Sequence, residues 1–257
     1  MRESSHAAHI RVLNDCNQRG GRTLSLLDLL DAGTVDLPLA VYLAAAMRSG
    51  ASLLVGALPG GAGKTTVMCA LLNFVPDATI LAPVESPVVS AEMRPGVPLS
   101  RLCFVAHEIS NGPVHGYLWG GEARAFFGLG AQGYGIASNL HADTLEETRD
   151  QLCRENGVPE THLDSVSLKV YLRVEQIAGG STRRWVRCVH ESDGAQDRLL
   201  FSRDEEGLLV RQEGVDSVLA SKEREHEYAR FLSKLRQKGL FRIEDVRRAL
   251  LDGLNEE

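Results

Sequence analysis

The stretch "SLLVGALPGGAGKTT", residues 52–66, decides how the rest of the chain is read. Residues 51–57 form a short apolar run, of the kind buried on both faces of a parallel sheet. After the glycines, "KTTVMCALLNFV" (64–75) places apolar residues at 67, 68, 71, 72 and 75, which is a helical stripe. In a strand, glycine loop and helix taken in that order, consecutive backbone N–H groups and a helix N-terminus can surround a polyphosphate. Gly60, Gly61, Ala62 and Gly63 supply the wrap, Lys64 a charge near the outer phosphates, and Thr65 a hydroxyl for Mg2+, with Thr66 completing the turn. The pattern G-x-x-x-x-G-K-[ST] is filled except at its opening glycine, where Leu58 stands. Pro59 biases Leu58 toward an extended backbone, as the end of a strand requires.

Upstream, residues 1–22 are polar, end in "NQRGGR" and are expected to be a peripheral loop. "TLSLLDLLDAG" (23–33) and "TVDLPLAVYLAAAMRSG" (34–50) are expected to be helices, the second capped by Asp36 with Pro38 in its first turn. Downstream, "ATILAPVE" (78–85), "RLCFVA" (101–106), "VHGYLW" (114–119) and "GYGIASNLH" (133–141) read as strands. "LEETRDQLCREN" is expected to be a helix capped by Asp143 or Thr144. Strands alternating with helices predict an α/β fold with a mainly parallel sheet. After about residue 175 come three short strands, 182–191, 197–204 and 207–213, that suggest a meander. Helices over 216–239 and 241–254 follow, the first with a buried stripe of Tyr228, Phe231, Leu232 and Leu235. This gives three expected regions: an extension with lead-in helices (1–50), a core (51–175), and C-terminal strands and helices (176–257).

The 257 residues carry a formal charge of −6, which argues against a chain whose main partner is nucleic acid. Five scattered cysteines lack metal-site or disulfide spacing. No apolar stretch approaches the roughly 18 residues that span a bilayer, so the chain is expected to be cytoplasmic. Phosphoryl transfer to water also needs a carboxylate at a neighbouring strand end. Glu85, closing "TILAPVE", and Glu122, after "YLWGG", both fit, and His141 ends another strand where it could sense a phosphate or polarise water.

Four segments in sequence resemble the secretion and pilus-assembly ATPases of the type II/type IV secretion superfamily, in their archaeal-type and tight-adherence-type forms. They are "SLLVGALPGGAGKTTVMCALLNFVPDATILAPVES", "LWGGEARAF", "QGYGIASNLHADTLEE" and the tail "YARFLSKLRQKGLFRIEDVRRAL". The resemblance implies a RecA-like P-loop NTPase core and an ATP- and Mg2+-dependent motor that works as a hexameric ring. The implied partner is an inner-membrane platform protein, at the inner face of the membrane, with no direct role for nucleic acid. It implies that Lys64 and Thr65 bind ATP-Mg, that Glu85 is the general base and Glu122 the Walker B acid and metal ligand, and that His141 is a sensor. Arg124 would lie near the phosphates or a subunit boundary, to which Arg94 or Arg101 of a neighbouring copy could add charge. The pattern departs from that family at Leu58, Ser86 and Tyr134 and in a short segment between Glu85 and Glu122. Those departures leave open a second reading, a nucleotide-binding scaffold without turnover.

Overall fold

The structure, a computed structural model, describes residues 5–17, 21–84, 97–112, 116–177, 180–204 and 207–253. At its centre is β1 (Leu53–Gly56), all four residues buried. Successive side chains of a strand face opposite sides. Leu53 and Val55 accordingly join one apolar core, and Leu54 joins a second on the other face. A strand covered on both sides cannot alternate polar with apolar residues, which is why its sequence is uniformly apolar.

Parallel strands flank β1 on each side. β6 (Gly135–Leu140) pairs Ala137 with Leu53, and β7 (Leu168–Gln176) pairs Leu168 with Leu53. Beyond β6 lie β3 (Leu102–Val105) and then β2 (Ile80–Pro83), both parallel. Two short strands, β4 (Glu108–Ile109) and β5 (Tyr117–Leu118), continue from the end of β6. On the other side, β8 (Thr182–Ser192), β9 (Asp197–Arg203) and β10 (Leu209–Arg211) extend the same sheet as an antiparallel meander. The α/β class and mainly parallel sheet expected of a P-loop core are what the chain forms. The expected boundary at 175/176 falls inside β7, and the sheet runs across it without a break.

On one face sit α2 (Leu26–Asp31), α3 (Leu37–Arg48) and α4 (Lys64–Leu72). Ser25 and Asp28 form a reciprocal capping box for α2, and Asp36 caps α3 by accepting from the Leu39 N–H at 3.0 Å. The opposite face carries α5 (Gly121–Ala131), α6 (Leu145–Arg149), which is capped by Thr144 and runs into a π-helical segment (Asp150–Glu155), and α7 (Glu160–Asp164).

Two expectations change. The N-terminal stretch is not a peripheral loop: α1 (Ser5–Cys16) buries His9, Ile10 and Leu13 and packs on β2 and α4. The 3-residue spacing of Ile10 and Leu13 is enough for one buried helical stripe. The helix expected from residue 216 starts only at α8 (Lys222–Gln237). The Ser217 hydroxyl accepts from the N–H groups of Leu219 and Ala220, and Glu191 takes the Val218 N–H, so these residues are held in a turn. α8 then lays Tyr228, Phe231, Leu232 and Leu235 against the core, and α9 (Ile243–Gly253) packs beside α1. Among the described residues no helix is long and apolar enough to cross a membrane.

Candidate functional site

At the end of β1 the chain is pinched. A Cβ on Gly56 would lie 2.5 Å from the Ala142 carbonyl oxygen and 2.8 Å from the Tyr171 ring, so only glycine lets the strand pass between β6 and β7. Leu58, in the slot of the missing glycine, is held by its backbone. Its N–H donates to Asp143 Oδ1 at 2.8 Å, its carbonyl oxygen lies 3.2 Å from His141 Nδ1, and its side chain is 49% exposed. No residue other than glycine has positive φ among the described residues, so that slot does not require left-handed backbone. Left-handed geometry arrives at Gly61 (φ +81°) and Gly63 (φ +91°), immediately before α4. Such a turn, followed by the unpaired N–H groups of a helix's first turn, is a concave set of donors suited to an anion.

Lys64 is buried beneath this loop. Its Nζ donates to the Ala57 carbonyl at 3.2 Å and pairs with Glu108 Oε1 at 2.9 Å. His141 Nε2 lies 3.0 Å from the same carboxylate oxygen. Burial alone would push the Glu108 carboxyl up. The Lys64 ammonium outweighs it, with help from the Tyr117 hydroxyl and His141, and holds the group below the ordinary glutamate range. Glu108 is thus ionised at neutral pH. Beside it His107, stacked on the Tyr117 ring at 5.8 Å, is pushed below the usual histidine value by burial and by Lys64. The Thr65 hydroxyl accepts from Asn139 Nδ2 at 3.1 Å, and the same amide donates to the His107 carbonyl at 2.8 Å. Arg184, from β8, donates through Nε to the Gly61 carbonyl at 2.9 Å.

Of the residues predicted from sequence, Gly60 to Thr66 form one continuous loop and helix start, and His141 lies against it. Glu122 does not meet Lys64: it is exposed in the first turn of α5. That turn is anchored elsewhere, since the Gly120 N–H donates to Asn156 Oδ1 and Arg124 Nη1 to the Asn156 carbonyl at 2.7 Å. Arg101 donates to the Ala78 carbonyl. Glu85, Ser86 and Arg94 lie outside the described residues. Sequence reading passed over Glu108, Asn139, Asp143 as a ligand of Leu58, and Arg184. The signal for Glu108 is an acid two residues past the apolar run "RLCFVA", between the two strand-end acids expected to serve, Glu85 before it and Glu122 after it.

The donor set fits a polyphosphate with a divalent cation: backbone amides at a helix start, an ammonium, a hydroxyl and an ionised carboxylate. The Asn139 Oδ1 atom, next to Thr65, is buried with no hydrogen-bond partner among the described residues. No protein-family model matches the sequence, and no curated protein matches it. Among solved structures the chain is similar to the VirB11 ATPase from the Brucella suis type IV secretion system, determined in complex with sulphate. The two are 21% identical, the TM-score is 0.45, and the match covers 76% of this chain and 66% of that one. It is also similar to the ATPase DotB of Yersinia pseudotuberculosis (10% identity, TM-score 0.48, 89% and 63% covered). The DotB of Legionella pneumophila gives 11% identity, a TM-score of 0.41, and 91% and 67% covered. The chain spans about two thirds of the length of these ATPases.

Proposed function

We propose that the chain binds and hydrolyses ATP at the loop of residues 58–66, as the motor of a secretion or type IV pilus-like assembly system. The observation that carries the reading is the buried Lys64–Glu108 pair under a left-handed glycine turn, with the Thr65 hydroxyl alongside. The amides of Gly60 to Thr66 hold the β- and γ-phosphates, and Lys64 exchanges its Ala57 and Glu108 contacts for phosphate oxygen. Thr65 and Glu108 would hold Mg2+, which when bound supplies Lewis-acid charge to the polyphosphate. Glu108 therefore takes the part that the resemblance gave to Glu122. Glu85 keeps the part of general base, receiving the proton of the water that attacks the γ-phosphorus as ADP leaves with the bridging oxygen. His141, between the Leu58 carbonyl and Glu108, ties the loop to that carboxylate and reports whether Lys64 has moved. The working form is a hexameric ring in the cytoplasm, seated on an inner-membrane platform protein.

The test is turnover of ATP by purified protein. Lys64→Ala is expected to abolish binding, and Glu108→Gln to keep binding while lowering kcat by about a hundredfold or more. Turnover unchanged in Lys64→Ala rejects the site. Mass in solution with and without ATP tests the ring. ATP binding without turnover in a monomer favours the scaffold reading.

A further inference from the structure

We infer that Arg184 is a positioning residue for the phosphate loop, acting from the antiparallel extension of the sheet on the peptide between Gly61 and Ala62. The inference rests on the nucleotide reading above and adds a residue to it.

Topology brings Arg184 to the loop. β8 runs antiparallel to β7, and Arg184 pairs with Val174, close to the last residue of β7. The beginning of β8 therefore lies at the carboxyl end of the parallel strands, the end from which the loop departs and where α/β sheets hold their ligands. Nε donates to the Gly61 carbonyl at 2.9 Å, and the Arg184 Cδ lies 3.6 Å from where a Cβ on Gly63 would be. The side chain thus lies across both left-handed glycines. Its Nη nitrogens make no hydrogen bond among the described residues. Neighbouring Arg183 is used differently, over the Trp185 ring at 5.4 Å.

The contact matters because of what a peptide group is. Carbonyl and N–H of one trans peptide point in opposite directions, and no peptide among the described residues is cis. With the Gly61 oxygen turned to Arg184, the Ala62 N–H faces the other way. That N–H is one of the donors assigned to phosphate. Glycine at 61 gives this peptide little steric preference for either orientation, and Gly63 leaves the loop equally permissive two residues on. An arginine on its carbonyl selects one orientation before the ligand arrives. Guanidinium is always charged and its fork is rigid, so little freedom is lost in making the bond.

The experiment is titration of ATP with Mg2+ into wild type, Lys64→Ala, Arg184→Ala and Arg184→Lys, with KM and kcat on the same proteins and a thermal melt of each. Arg184→Ala is expected to raise the Kd and KM for ATP about tenfold, the size of one hydrogen bond to a charged group. Its kcat should change less than about threefold, and its Tm by less than about 2 °C because the side chain is exposed. Arg184→Lys is expected to recover part of the affinity, since Nζ stands one bond beyond the position of Nε and can still reach the Gly61 carbonyl. If the wild type binds no ATP, or Lys64→Ala binds as the wild type does, the nucleotide reading itself falls. If binding needs Lys64 but is the same within about twofold in Arg184→Ala, this inference alone is overturned.

Discussion

Two glycines four residues apart have opposite jobs, and alanine at each separates them. Gly56→Ala puts a methyl carbon 2.5 Å from the Ala142 carbonyl oxygen and 2.8 and 2.9 Å from two carbons of the Tyr171 ring. Carbon contacts relax at about 3.5–4.0 Å, so close to 1 Å of movement is needed. Neither neighbour gives easily. Gly56 is paired on both sides, with Leu140 and Tyr171, and the Tyr171 hydroxyl is tied to Thr148 Oγ1 at 2.7 Å. Overpacking of a core costs about 1–3 kcal/mol, and a collision with backbone belongs at the upper end. At roughly 2–4 °C per kcal/mol for a chain of this size, Gly56→Ala should melt about 6–12 °C below wild type. Gly60→Ala is the control: a Cβ there meets nothing within 4 Å and its φ is not left-handed. It should melt within about 2 °C of wild type. Its methyl would stand between backbone and phosphate and raise the Kd for ATP at least about tenfold. Thermal melts followed by circular dichroism and titration of a fluorescent ATP analogue read both. A Gly56→Ala protein as stable as wild type, or a Gly60→Ala protein as unstable as Gly56→Ala, would refute the reasoning.

Lys169 and Asp197 form a buried pair at 2.6 Å, each side chain 1% exposed, with burial pushing Lys169 below its ordinary value. Asp197→Ala strands the ammonium and should cost about 3–5 kcal/mol in urea unfolding, while Lys169→Met with Asp197→Leu should recover most of it. Buried Arg247 in α9 donates to the carbonyls of Asn73, Val75 and Pro76 just past α4, and burial pushes it down to about 10. Arg247→Met leaves those acceptors without their donor and should lower stability by about 3 kcal/mol. The folded-state value of Glu108 lies below the ordinary 4.5. Its contribution is therefore complete above that pH and lost as pH falls through the folded value. The Tm gap between wild type and Glu108→Gln should be widest near pH 6 and shrink below about 4.5; a gap that widens in acid would contradict the Lys64 pairing.

How much of this was legible in the sequence depended on whether the signal was local. The strand–loop–helix around residues 51–75, the cap at Asp36, the cap offered by Asp143 or Thr144 and taken by Thr144, and the stripe of α8 each rest on neighbours within one or two turns, and each is present in the structure. Glu108 was missed because nothing local distinguishes an acid after β3 from one after β5. What selects it is that β3 lies beside β6, which lies beside β1. That adjacency exists only once the sheet is assembled. At Leu58 the local part was legible, since Pro59 already biases it toward extended backbone, and the distant part was not. A string comparison counts it as a lost glycine, whereas the backbone at that position is not left-handed and its N–H is bound by Asp143, 85 residues away.

The same logic bears on where the functional unit ends. Composition changes near residue 175, and a boundary drawn there would leave the meander outside the core. Hydrogen bonding joins the two: β7 is parallel to β1 on one edge and antiparallel to β8 on the other. A hairpin that reverses direction at the carboxyl end of a parallel sheet must start its return strand beside the loops of that end. Arg184 stands at that start and reaches the Gly61 carbonyl. The meander therefore touches the loop of residues 58–66 without any domain movement, by the placement of one strand. A chain truncated at residue 175 would lose Arg184, the edge partner of β7, and Asp197, the counter-charge of Lys169. It is expected to be insoluble or to bind ATP far more weakly than Arg184→Ala alone. A soluble 1–175 fragment with full ATP affinity would show that the extension contributes nothing to the site.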